Sequence, residues 1–245
     1  MSIRARGPVA VAIAAVLAAG AWFAVDTAGP APAEVVVPES PQARAGFADA
    51  AQLAEALPTI DPAAQYPKYV RADYGPRWAD IDGNSCDQRN DVLQRDLVDV
   101  VLDVDGCTVL TGVLEDDPYT GRDIVFQHDK VAEEGNPGSQ GVQIEHIVSL
   151  EAVHRGGGWR WSPDRKMAFA NDLANIIAVD GPSNNAKQEA GPADWLVPDN
   201  PEYRCTYAAR YTQILHDWEL AVDVDDRDQL VHTLTDCSDQ PASVS

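Results

Sequence analysis

Apolar residues follow two periods along this chain, and the switches between them outline its elements. Tyr203, Tyr207, Tyr211 and Leu215 recur every fourth residue with Trp218 on the same face, which predicts an amphipathic helix; Leu230, Val231 and Leu234 predict a second. Alternation from Leu97 to Asp103 and again from Cys107 to Leu114, with Gly106 between, predicts a β-hairpin, and Ile124 to Phe126 a third short strand. Asp117 to Gly121 has the composition of a tight turn, with Pro118 preset for it. The run from Ile144 to Leu150 reads as a strand end opening into a turn and a helix. A second run, Ile176 to Val179, stops at Asp180-Gly181-Pro182-Ser183, after which Asn184 to Lys187 opens a short helix. Between these runs, Ser162 and Pro163 suit the N-cap and first position of a helix reaching to about Asp172. An Ala-rich helix from Phe47 to Leu57, ended by Pro58, is expected to pack on the domain. The set is mixed, α+β, with no internal repeat.

The first residues follow a different logic. Arg4 and Arg6 precede an uncharged apolar run, Val9 to Val25, and a small-residue stretch, Ala31-Pro32-Ala33. Residues 1–33 therefore read as a secretory signal, which makes the protein secreted; the alternative is an uncleaved anchor on the outer face of the cytoplasmic membrane, the one route to a membrane partner. Residues 34–65 read as a linker with the short helix, and residues 66–240 as one domain long enough to bury a sizeable core. Four cysteines in an exported chain predict two disulfides, with three connectivities open. Cys86 with Cys107 and Cys205 with Cys237 is favoured, because each pair flanks one local unit. No C-x-x-C spacing exists, which argues against thiolate zinc.

The only stretch that combines a carboxylate, a histidine and spaced asparagines is Val142 to Lys187. Glu145 and His146 are adjacent, and neighbours on an extended chain point to opposite sides, so a bulge or local twist is expected to bring both to one site. A hard cation takes oxygen ligands, which Glu145 and an asparagine amide supply, and a histidine beside it can accept a proton from water. Elsewhere, Asp80, Asp82, Asn84 and Asp87 resemble the opening of a calcium loop but lack its closing glutamate, and a solvated acidic turn beside a disulfide is the preferred reading. His128, His216 and His232 lack partners at ligand spacing and read as structural or surface residues.

At these residues the chain resembles the HNH nuclease family, and most closely the nuclease domain at the C-terminus of GmrSD-type restriction enzymes. WADIDGNSCDQRNDVL, DPYTG, GGGWRWSPDR, FANDLAN, NNAK and ADWLVP all look like that family's signatures, and they span roughly Tyr66 to Cys237. The resemblance implies a ββα-metal (His-Me) finger with the hairpin and the C-terminal helical pair added to it. It implies Glu145 and Asn184 as ligands of one divalent ion, Mg2+ or Mn2+, His146 as general base, and Asn175 as the residue orienting His146. Asn171 and Asp172 are weaker candidates for that orienting role. Arg89, Arg165 and Lys187 are candidate phosphate contacts; Arg89 pairing with Asp87 or Asp91, and Arg165 and Lys187 on solvated helix faces, are the plainer readings. The family pattern usually has Asp where this chain has Glu145, and proline where it has Ser149.

The implied activity is that of a secreted, metal-dependent endonuclease hydrolysing phosphodiester bonds in DNA, with RNA as a further substrate. Activity is then expected to fall at acid pH as the imidazole protonates. Net charge opposes this reading: 18 basic against 39 acidic residues gives -21, and a polyanion repels nucleic acid. From residue 146 to 190, however, five Lys or Arg balance five Asp or Glu, so the acidity lies elsewhere. The rival is a catalytically inactive binding protein of the cell envelope that keeps the nuclease fold.

Overall fold

The computed structural model describes residues 41–239. Its elements run α1 (Pro41–Ala56), α2 (Gln88–Asp96), β1 (Val98–Leu102), β2 (Val109–Leu114), β3 (Ile124–Gln127), β4 (Val142–His146), α3 (Leu150–Arg155), α4 (Pro163–Ala170), β5 (Ile176–Asp180), α5 (Gly181–Lys187), α6 (Arg204–Asp217) and α7 (Val224–Asp239). The fold is α+β with two small antiparallel sheets, β1-β2-β3 and β4-β5. The expected signal segment and the first residues of the linker lie outside the described residues.

Helix starts are written locally. Asp87, Ser149, Ser162 and Asp180 cap α2, α3, α4 and α5, each accepting a backbone N–H from three residues on, so one orphan donor per helix is satisfied before any tertiary contact forms. α6 buries Tyr207, Tyr211 and Leu215 on the predicted face, with Tyr203 buried at its N-cap, and α1 buries Phe47, Ala51 and Ala54 against α6 and α7. Disulfides join Cys86 to Cys107 and Cys205 to Cys237, with Cα–Cα distances of 5.2 and 5.9 Å. The first ties the acidic turn before α2 to the β1–β2 hairpin; the second staples α6 to the end of α7.

β5 is buried along its whole length, because a core lies against each of its faces. Ile177 and Val179 join one formed by α1, α3, α4, α6 and α7; Ile176 and Ala178 join another with Val92, Leu93, Val109, Phe126, Val142 and Ile144. A two-stranded ribbon leaves one edge of each strand unpaired, and inside a protein those backbone groups need partners. Carboxylates supply them on β5. Asp96 Oδ2 accepts the Ala178 N–H at 2.9 Å and Asp117 Oδ1 accepts the Asp180 N–H at 2.9 Å. Arg95 is chelated by Asp96 and donates to the carbonyls of Leu173 and Ile176, both at 2.8 Å. The ribbon is thereby fixed to α2 and to the Asp117–Gly121 turn.

α5 follows β5 without a loop, and Gly181 makes that junction possible. A Cβ at this position would lie 1.9 Å from the Gln140 carbonyl oxygen, a backbone atom that cannot rotate away. Gly181→Ala is therefore expected to push α5 off the ribbon and to cost roughly 1–3 kcal/mol, the range for forced overpacking. Denaturant unfolding at constant m-value measures it, and an unchanged midpoint would show that the junction has slack.

Candidate active site

The site is built on β4, β5 and α5. All five residues of β4 pair in unbroken register, from Val142 opposite Asp180 to His146 opposite Ile176. No bulge intervenes, so the expectation that one would bring Glu145 and His146 to the same face is corrected. Strict alternation puts Gln143 and Glu145 on the face that α5 covers, and Ile144 and His146 on the other.

On the α5 face, Glu145 is buried and its Oε1 forms an ion pair of 2.5 Å with Lys187 Nζ. The same ammonium donates to the His146 carbonyl at 3.2 Å. Burial raises the Glu145 pKa and the Lys187 charge pulls it back, with a net upward direction. One turn earlier on α5, Asn184 Nδ2 donates to Gln143 Oε1 at 2.8 Å. Two side chains of α5 are thus matched to two of β4.

On the opposite face the His146 ring lies parallel to Trp78, with centroids 5.7 Å apart and planes 12° from each other. Its Nε2 is 2.8 Å from the Ala170 carbonyl oxygen, at the end of α4. A carbonyl can only accept, so the neutral ring carries its hydrogen on Nε2 and presents a lone pair at Nδ1. The ring is half-buried. Burial lowers its pKa to about 4; the Ala170 carbonyl works against that shift, while the charges of Arg71, Lys187 and Arg77 add to it. At neutral pH it is an uncharged base whose tautomer is set by the backbone.

Asn175 does not orient this ring. It is fully buried, its Oδ1 accepts the Val148 N–H at 2.9 Å and its Nδ2 donates to the Val148 carbonyl at 3.1 Å. Its own carbonyl accepts the Ile147 N–H at 2.9 Å. Asn175 therefore extends the β4-β5 ladder by side chain where the strands part, and holds the segment between His146 and the cap of α3. Asn171 bonds its amide to the Met167 carbonyl, and Asp172 accepts from the Trp218 indole, so neither takes the orienting role.

The three candidate phosphate contacts separate. Arg89 lies over the Phe126 ring, 5.7 Å from its centroid, beside the three-stranded sheet and without the Asp87 or Asp91 ion pair. Arg165 packs on Trp161 and Trp218, donates to the Trp218 carbonyl and faces Glu219 at 3.7 Å. Lys187 has a fully buried side chain committed to Glu145. All three are engaged by other groups: Arg89 by the Phe126 ring, Arg165 by Trp161 and Trp218, and Lys187 by Glu145. Trp78 and the Ala170 carbonyl, which do meet the His146 ring, were not assigned to the site: Trp78 opens the signature WADIDGNSCDQRNDVL, but a signature names no contact, and every residue has a carbonyl.

Glu145 and Asn184 do not fit a divalent ion as they stand. The carboxylate is turned inward beneath α5 and already neutralised by an ammonium, and the Asn184 amide is bonded to Gln143. Among the described residues no group of three or more His, Cys, Asp or Glu could hold a metal ion.

A family model, GmrSD restriction endonucleases, C-terminal domain, matches residues 87–233. The chain belongs to that family. No curated protein and no solved structure matches it. The GmrSD C-terminal match opens at Asp87, the cap of α2, contains β4, β5 and α5, and ends within α7. Trp78 and the arginines before it lie outside the matched segment.

Proposed function

We propose that this protein is an endonuclease of the HNH type, with β4, β5 and α5 as its ββα finger, and that it hydrolyses phosphodiester bonds in DNA and, as a further substrate, RNA. The observation that carries the reading is His146: a neutral imidazole on the finger, fixed by the Ala170 carbonyl so that Nδ1 is left to accept a proton. In this mechanism Nδ1 takes a proton from water, the resulting hydroxide attacks phosphorus in line, and the 3′-oxygen leaves and is protonated by solvent. Lys187, on the His146 carbonyl, and Asn175, on Ile147 and Val148, act through the backbone that leaves His146, and so hold the base in place. Family membership supports a nucleic-acid substrate. The two disulfides support an oxidising compartment, and we place the protein outside the cytoplasm, secreted. Among the described residues no helix is long and apolar enough to cross a membrane.

The test is nicking of supercoiled plasmid by the full chain, disulfides intact, in Mg2+, in Mn2+ and in EDTA, beside His146→Ala. Cleavage that disappears in His146→Ala is the expected result. A metal requirement would mean that the Glu145–Lys187 pair opens to release the carboxylate or that the ion binds elsewhere; cleavage in EDTA would leave the chain's own cations as the electrostatic partners of phosphate. A folded protein that cuts under none of the three conditions would be a nuclease-fold binding protein instead.

A further inference from the structure

A phosphate brought to His146 meets a protein of net charge -21, and the cations the sequence offered for it are committed elsewhere. The segment Arg71–Trp78 supplies others. It begins as a 3-10 turn, Arg71–Tyr74, with the Tyr74 side chain wholly buried, and Gly75 at φ 78° turns the chain back. Trp78 closes it at φ 55°, a left-handed conformation that a bulky residue adopts only when its surroundings impose it. What imposes it is visible: the indole lies flat on the His146 ring. The segment is therefore pinned at Tyr74 and at Trp78, and Arg77, next in chain to the stacked tryptophan, is carried to the His146 side of the ribbon.

Arg77 is exposed and Arg71 half-buried, its Nη1 donating to the Gly75 carbonyl at 3.2 Å. Among the described residues neither has a carboxylate within ion-pair distance. The Arg71–Gly75 bond and the Trp78–His146 stack hold the two arginines in one short segment whose end lies on the ring, and Glu189 is the acidic group whose charge reaches Arg71. Two unpaired guanidiniums beside a neutral base form the arrangement that recognises a phosphodiester, because each planar fork binds two phosphate oxygens. We propose that Arg71 and Arg77 clamp the scissile phosphate against His146, with the Trp78–His146 stack setting their distance from the base. This rests on the nuclease reading and names the groups that replace Arg89, Arg165 and Lys187 in it.

The test is binding of a fluorescein-labelled duplex by the full chain in EDTA, with the DNA checked for integrity, as a function of NaCl. Arg77→Ala, an exposed change, is expected to weaken binding about 5- to 10-fold at 0.1 M salt and to reduce the slope of log Kd against log salt by about one, the effect of one lost phosphate contact. Arg71→Ala should do the same, with Arg71→Lys recovering the slope. Arg165→Ala should leave it unchanged. An unaltered slope for Arg77→Ala at unchanged melting temperature, or an equal loss from Arg165→Ala, would overturn the clamp. If the wild type cuts plasmid while the arginine variants bind normally, only the clamp falls; if it binds through these arginines yet never cuts, only the hydrolytic reading falls. A wild type that neither binds nor cuts would remove both.

Discussion

Lys187→Met is expected to destabilise the protein by about 3–5 kcal/mol, the range for removing one partner of a buried ion pair. Glu145 lies in the interior between α5 and the ribbon, and without the ammonium its charge has no neutralising neighbour. Methionine nearly matches lysine in length, so the loss reports charge more than volume. Two further measurements separate these causes. Adding Glu145→Gln should restore most of the stability, because the double variant buries no charge; failure to restore it would mean that the His146 carbonyl contact or packing dominates. The pH dependence supplies the second check. Burial already lifts the Glu145 pKa, and removing Lys187 takes away what opposes that lift. A carboxyl whose folded pKa exceeds its unfolded value binds its proton more tightly when folded. Stability is therefore lost as pH rises through the window above the unfolded value and recovered as pH falls. The gap between Lys187→Met and wild type should narrow between pH 7 and about pH 5, near the ordinary carboxylate range. A gap constant with pH would rule out an unpaired Glu145 charge as the cause.

The second large effect is on the reaction. His146→Ala should lower kcat/KM by about 10²- to 10⁴-fold, the usual contribution of a positioned general base. The acid limb of the wild-type profile, which for an ordinary imidazole would lie near pH 6.5, is displaced downward because burial and the neighbouring cations hold His146 neutral to about 4. Below that value the ring is protonated and cannot accept a proton. A profile of kcat/KM flat from pH 8 to about 5, then falling tenfold per pH unit below about 4, is the expected outcome. A limb near 6.5 would mean that the ring is solvated in the working enzyme, and identical limbs in wild type and His146→Ala would remove His146 from the base role. Folding is linked with the same sign. The unfolded chain takes up this proton near 6.5 and the folded chain near 4, so stability declines as pH falls between them. The acid limb must therefore be measured on protein shown to be folded, by circular dichroism at each pH.

Much of the scaffold could be read from residues a few positions apart. The cap at Ser162, the fourfold spacing on α6, the alternation in the hairpin and the turn at Asp117 involve contacts within a few residues, where local geometry dominates. That Glu145, His146 and the Asn175–Lys187 stretch come close together follows from the pairing of β4 with β5, which α5 continues directly. What each side chain touches was not legible, because that depends on register and on partners from far along the chain. An unbroken β4-β5 ladder sends Glu145 to Lys187 and His146 to Trp78; one bulge would have reversed that assignment. Asn175 has the chemistry to aim an imidazole, yet it sits where the strands diverge and the Val148 backbone needs both halves of its amide. The group that does aim His146 is a carbonyl at the end of α4, which no side-chain pattern can mark. Sequence alone thus determined most of the elements and the disulfide-linked α+β class, since these follow from short-range propensity and order. Only the tertiary structure decided which charged groups pair in the interior and which stay unpaired, because burial and pairing are properties of the assembled cores.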